Sequence, residues 1–198
     1  MYPGSQYWAI SFARRPDGVT RVEIEGPSLA ARTVESVEGE EYWGVELAAH
    51  VMLRGAPKDS LLGGVVTILA KDGAVAAFGG RWPVPAYDAL EEWVQDRIAD
   101  GALVVDDETA AALAGDRTGA TARTWQRRFR RTVGLTAANV EQLKRAEHAF
   151  ALLQAGFTPP EAAATAGFSD QSHLTRSLRL IRGRTPASIL SAVRARSE

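Results

Sequence analysis

Near the start of the chain, hydrophobic residues alternate with polar or small ones in three short stretches. These are Trp8, Ile10 and Phe12; Val22 and Ile24 beside Glu23 and Glu25; and Trp43, Val45 and Leu47. A period of two places one set of side chains on a single strand face, so the stretches predict a small, twisted β-layer. Arg15-Pro16-Asp17-Gly18 separates the first two and reads as a turn, because proline presets φ and glycine accepts the left-handed conformation. Glu38-Gly39-Glu40-Glu41 is a second turn. The apolar run Leu61–Leu69 fits a strand or a helix equally by periodicity, and Trp82-Pro83-Val84-Pro85 is extended, since residues before proline avoid the α region.

From about residue 88 the period lengthens to that of a helix. Asp88 reads as an N-cap with Glu91 three residues on; Leu90, Trp93, Val94 and Ile98 share one face, and Gly101 is the stop. A short helix is predicted from about Asp107 to Ala114. Beyond it, Trp125, Phe129 and Val133 recur every fourth residue as a buried stripe ending at Gly134. Val140, Leu143, Ala146, Phe150 and Leu153 form the stripe of a long helix over 136–155, with Thr136 as cap and Gly156 as stop. Thr158-Pro159-Pro160-Glu161 combines a Thr cap, prolines in the first turn and a Glu placed to close a capping box. Gly167 turns the chain, Phe168 plugs the core, Asp170 caps the next helix, and Leu174, Leu178 and Ile181 form its buried face. The predicted fold class is α+β: a small β-rich N-terminal domain with flanking helices, then an all-α domain of two helix-turn-helix units joined by a long helix.

Charge sharpens the division. The net charge of −1 hides an asymmetry: residues 1–105 carry 9 Lys and Arg against 15 Asp and Glu, whereas residues 106–198 carry 14 against 9. A basic module on an acidic body suits attraction to phosphate, although solvated Arg-rich faces are common, so the motifs must decide. Domains are accordingly assigned to 1–104 and 105–198. The 198 residues contain no cysteine, which excludes disulfide scaffolds, thiolate metal sites and cysteine nucleophiles. Neither a signal-peptide layout nor an apolar run of membrane length is present, so a cytoplasmic location is expected. His50, His148 and His173 lack ligand spacing, and no nucleophile elbow or phosphate-binding glycine loop occurs. No enzyme activity, catalytic residue, metal or cofactor is expected. Trp8, Trp43 and Trp82 read first as core, with the lining of an effector pocket as the alternative.

The polar faces supply the chemistry. Arg123, Gln126, Arg127 and Arg130 lie opposite the first stripe, and Gln171, Ser172, Thr175, Arg176 and Arg179 opposite the second. Arg grips guanine O6 and N7 in bidentate fashion, and Gln pairs with adenine N6 and N7. The intervening twenty residues would span roughly 30 Å as a helix, near the ~34 Å between successive major-groove faces.

At correct mutual spacing, Arg123-Thr124-Trp125-Gln126-Arg127-Arg128-Phe129, Gly134, Gly167-Phe168-Ser169-Asp170-Gln171-Ser172-His173-Leu174-Thr175-Arg176 and Gly183-Arg184-Thr185-Pro186 resemble the DNA-binding domain of AraC/XylS transcription regulators. The resemblance implies base-facing roles for Arg123, Gln126, Arg127, Gln171, Ser172, Thr175 and Arg176. Arg128, Arg130, Arg131, Arg179, Arg182 and Arg184 are the phosphate candidates. More weakly, Gly44-Val45-Glu46-Leu47, Trp82–Tyr87 and Gly101–Val105 resemble the N-terminal part of actinobacterial members. In the wider family that region is often cupin-like and senses a small molecule or dimerises. Double-stranded DNA is the expected partner; a small-molecule effector, RNA polymerase and a second copy are further candidates, and no membrane is expected. Two departures stand out. Before the first reading helix the family usually has an Ala-rich helix ending in a glycine turn, where this chain has Ala114-Gly115-Asp116-Arg117-Thr118-Gly119; a short or displaced supporting helix is expected. Leu174 and Leu178 replace frequent Phe, a hydrophobic exchange a core tolerates. The rival reading is a ligand-binding or protein-interaction module that has lost operator binding.

Overall fold

The three alternating stretches pair with one another. In the computed structural model, β1 (Trp8–Arg14), β2 (Thr20–Glu25) and β3 (Glu41–Leu47) join β5 (Val65–Leu69) in an antiparallel sheet of order β3-β1-β2-β5. The structure describes residues 1–198 except 35, 57–60, 78–79, 117–120 and 198, and the side chains of 196 and 197. Arg117, Thr118 and Gly119 of the glycine-rich approach therefore lie outside the described residues. By contacts the chain forms two compact units. One comprises Tyr7–Pro27 and Glu35–Thr136; the other comprises Met1–Gln6, Ser28–Val34 and Ala137–Glu198.

The first unit is built on the sheet. The register sets Ile10 opposite both Ile24 and Val45, and Phe12 opposite Val22 and Trp43. Trp8, Ile10, Phe12, Val22 and Ile24 are thereby buried together. Gly18, at φ +85°, closes the first turn by donating its N–H to the Arg15 carbonyl at 2.9 Å. Arg21 on β2 bonds Glu23 at 2.8 Å and clasps both oxygens of Glu40 in the second turn. That guanidinium holds the Glu40 carboxyl below the usual carboxylate range. Two smaller ladders, β4 (Val51–Leu53) with β8 (Leu103–Val105) and β6 (Ala74–Ala77) with β7 (Gly80–Pro83), complete the strands. The ambiguous apolar run is thus a buried Leu61 followed by the edge strand β5.

Helix α1 (Leu90–Ala99) differs from expectation at its start. A 3-10 turn at Tyr87–Ala89 winds the chain one turn early, so Ala89 occupies the N-cap without a side-chain bond and Asp88 lies inside the winding. Leu90, Trp93, Val94 and Ile98 do face the core, and Gly101 follows at φ +74°. Trp93 donates its indole N–H to the Pro83 carbonyl at 2.8 Å and meets Phe12 and Trp82 edge to face. Trp8 and Trp82 are core residues. Trp43 is half-buried and lines an open cleft of about 370 Å³ with Arg14, Glu41, Tyr42, Ala86 and Tyr87. Helices α2 (Asp107–Leu113) and α3 (Ala122–Val133) end this unit.

The second unit is organised around α4 (Ala137–Gln154), against which α5 (Pro159–Thr165), α6 (Gln171–Arg182) and α7 (Pro186–Ser197) pack. Val140, Leu143, Ala146, Ala149 and Leu153 are the buried positions of α4, and its two alanines permit close approach. Phe150, expected in the stripe, is only half-buried, and Gly156 follows the helix at φ +92°. Glu161 accepts both the backbone N–H (2.9 Å) and the hydroxyl (2.7 Å) of Thr158, fixing the start of α5. No element was expected after Pro186, yet Thr185 and Ser188 exchange backbone-to-hydroxyl bonds of 3.0 and 3.2 Å that start α7.

Candidate nucleic-acid interface

Helix α6 is defined by its turn. Gly167 sits at φ +76°, where a side chain would be strained, and Phe168 drops into the core beneath it at 6% exposure. Arg145, on α4, lays its guanidinium over the Phe168 ring at 5.6 Å and donates to the Gly167 carbonyl at 3.3 Å. Asp170 caps α6 by accepting the His173 N–H at 2.7 Å, and the Ser169 hydroxyl donates to its other oxygen at 3.0 Å. Those two bonds hold the Asp170 carboxyl below the usual range. Leu174, Leu178 and Ile181 are buried, with at most 1% exposed. Facing away from them, Gln171, Ser172, Arg176 and Arg179 are exposed. Thr175 is half-buried, and its hydroxyl donates back to the Gln171 carbonyl at 2.8 Å, leaving its methyl group and lone pairs for a ligand. Arg182 differs from Arg179 and Arg184: its side chain is 18% exposed, packed over Phe150 at 4.2 Å and 3.6 Å from Glu147. Arg184 is exposed.

Helix α3 is anchored through Asp106. Its carboxylate caps α2, accepting the Thr109 N–H at 2.9 Å, and accepts the buried Thr132 hydroxyl of α3 at 3.0 Å. Arg128, also on α3, reaches the same carboxylate at 3.2 Å and pairs with Glu108. Burial pushes the Asp106 carboxyl up, but bonds from Thr109, Thr132 and Arg128 outweigh it and hold the group below the usual carboxylate range. Thr121 caps α3, and Gly134 ends it at φ +85°. Phe129 and Val133 are buried as expected. Trp125 is not: one helical turn nearer the exposed N-terminal end, it is half-buried and tilts against Phe129 at 5.3 Å. Arg123, Gln126, Arg127, Arg130 and Arg131 are exposed.

Each helix therefore presents a row of base-reading and phosphate-binding residue types over a buried face, and each is also held by longer-range bonds that its own sequence does not announce. Residues 114–192 match the family of helix-turn-helix domains. The match supports a DNA-binding domain of the AraC type, a regulatory family rather than an enzyme family. The matched segment takes in α3, α4, α5, α6 and the start of α7. Curated proteins and solved structures provide no match to the chain. No helix among the described residues is long and apolar enough to cross a membrane.

Asp106, Arg145 and Glu147 escaped the sequence reading. A cap before the short helix was legible in the run Asp106-Asp107-Glu108, but apart from Thr109 the partners of Asp106, Arg145 and Glu147 lie 22 or more positions away.

Proposed function

We propose that the protein is a sequence-specific transcription regulator that reads two successive major-groove segments of double-stranded DNA with one chain. Residues 105–198 are the reading module, and the β-rich residues 1–104 place it under the control of a small molecule or a partner, with RNA polymerase and a second copy as further partners. The observation that carries the reading is the exposed row Gln171, Ser172, Arg176 and Arg179 over fully buried leucines, inside the segment that matches helix-turn-helix domains. Arg123, Gln126 and Arg127 read bases from α3; Gln171, Ser172, Thr175 and Arg176 read them from α6. Arg130, Arg131, Arg179 and Arg184 bind phosphates. Arg128 and Arg182, already engaged with carboxylates, serve mainly to set helix position. The eighteen residues of α4, about 27 Å of helix, connect the two readers.

Selection from a random DNA library with purified protein tests this, followed by titration of the enriched site at two salt concentrations. The expected motif has two blocks about one helical turn apart, with affinity falling by roughly 0.9 log units per log of salt for each phosphate contact. A single block would remove α3 from base reading. Absence of enrichment, with and without cell extract as a source of effector, would refute operator binding.

A further inference from the structure

The last carbonyls of α6 are met by the first residues of the chain. Gly4 donates its N–H to the Ile181 carbonyl at 2.6 Å, and Ala31 donates to the Leu180 carbonyl at 2.8 Å. A helix leaves its final four carbonyls without internal partners, and here two of them are satisfied from a distant part of the sequence. The two donors belong to one ribbon. Tyr2 and Arg32 exchange backbone bonds of 2.8 and 2.9 Å, the Ser28 N–H meets the Ser5 carbonyl at 2.8 Å, and the Arg32 guanidinium lies over the Tyr2 ring at 5.6 Å. Close approach is built in: a Cβ on Gly4 would stand 2.9 Å from the Leu29 backbone, and a Cβ on Gly183 would collide with the Met1 side chain. Gly183 itself ends α6 at φ +65°.

We propose that this ribbon is the positioning element of the second reading helix, α6. Gly4 and Ala31 are positioning residues; neither touches DNA. The inference rests on α6 being a DNA reader, but its first test does not.

Two variants of the full chain are compared with the parent: deletion of residues 2–5, and Ala31→Pro, which removes one donor and covers the case in which the deletion fails to fold. Hydrogen exchange without DNA is read first. Amides 178–182 should lose protection by about tenfold, the worth of one such bond, while α4 and β1 keep theirs. Unchanged protection in the last turn, or an equal loss throughout α4 and α6, overturns the proposal. The second readout uses the selected DNA site, with the block read by α6 identified through Arg176→Ala. The penalty for mutating that block should shrink by about tenfold in both variants, and the penalty at the other block should stay. Equal loss at both blocks would mark the ribbon as a general stabiliser and overturn the positioning role. A parent protein that selects no site would refute the DNA reading alone, since the exchange result stands by itself.

Discussion

Replacing Asp106 by Ala removes three bonds at once, and their sizes can be assigned separately. Loss of the N-cap to Thr109 costs about 1 kcal/mol. The Thr132 hydroxyl, fully buried, loses a charged acceptor and is left unsatisfied, which costs about 1.5–3 kcal/mol. The Arg128 side chain is 35% exposed and retains Glu108, so its share is discounted for solvent screening. Asp106→Ala should therefore destabilise the sheet-containing unit by about 3 kcal/mol, whereas Asp106→Asn, which still caps, should cost about a third of that. Because the folded carboxyl titrates below its unfolded value, its charge-dependent contribution is complete above about pH 5 and disappears as pH falls through the folded pKa. The gap between the parent and Asp106→Asn should accordingly close in acid. Urea unfolding followed by far-UV circular dichroism at pH 7 and at pH 3 reads both effects. An Ala variant with the parent's midpoint, or an Asn variant as unstable as the Ala variant, would refute the assignment of Asp106 as the anchor of α3.

Three further outcomes follow from the same geometry. Arg176→Ala should cost ~1–3 kcal/mol of operator binding and relax preference at one base pair; an unchanged selected motif would remove Arg176 from base reading. Phe129→Ala, at a site 4% exposed, should cost ~3–5 kcal/mol, and Trp125→Ala, half-exposed, clearly less; thermal unfolding ranks the pair, and the opposite order would place Trp125 in the core. Arg130→Ala should lower the salt slope of DNA binding by about one phosphate contact, while Arg128→Ala should leave it unchanged, and a lowered slope for Arg128→Ala would show that its carboxylate partners release it to DNA.

Much of the fold was legible because short-range rules set it. Alternation at Trp8, Ile10 and Phe12 and the turn at Gly18 are properties of adjacent residues, and so are the Thr158–Glu161 cap and the Gly167–Asp170 turn. The misreadings arose where a neighbour outside the local window intervened. Asp88 has the composition of a cap but was overtaken by the 3-10 turn following Pro85. Arg128 looks like its exposed neighbours in the helix pattern, and only the approach of Asp106 and Glu108 from α2 sets it apart. The same holds for the candidate site: residue types and faces could be read from periodicity, but the bonds that aim α3 and α6 join partners far apart in sequence.

The ribbon at the end of α6 also bears on how the protein comes into being. A contact between Gly4 and Ile181 closes a loop of nearly the entire chain, and loops of that length form late because their closure entropy must be met before the contact returns anything. During synthesis Gly4 emerges long before Ile181, its helical partner, exists. Completion of the last turn of α6 thus waits on synthesis of the chain through Ile181, so a nascent chain stalled before that point would hold the β1–β2–β3 sheet while α6 still lacked its final partners.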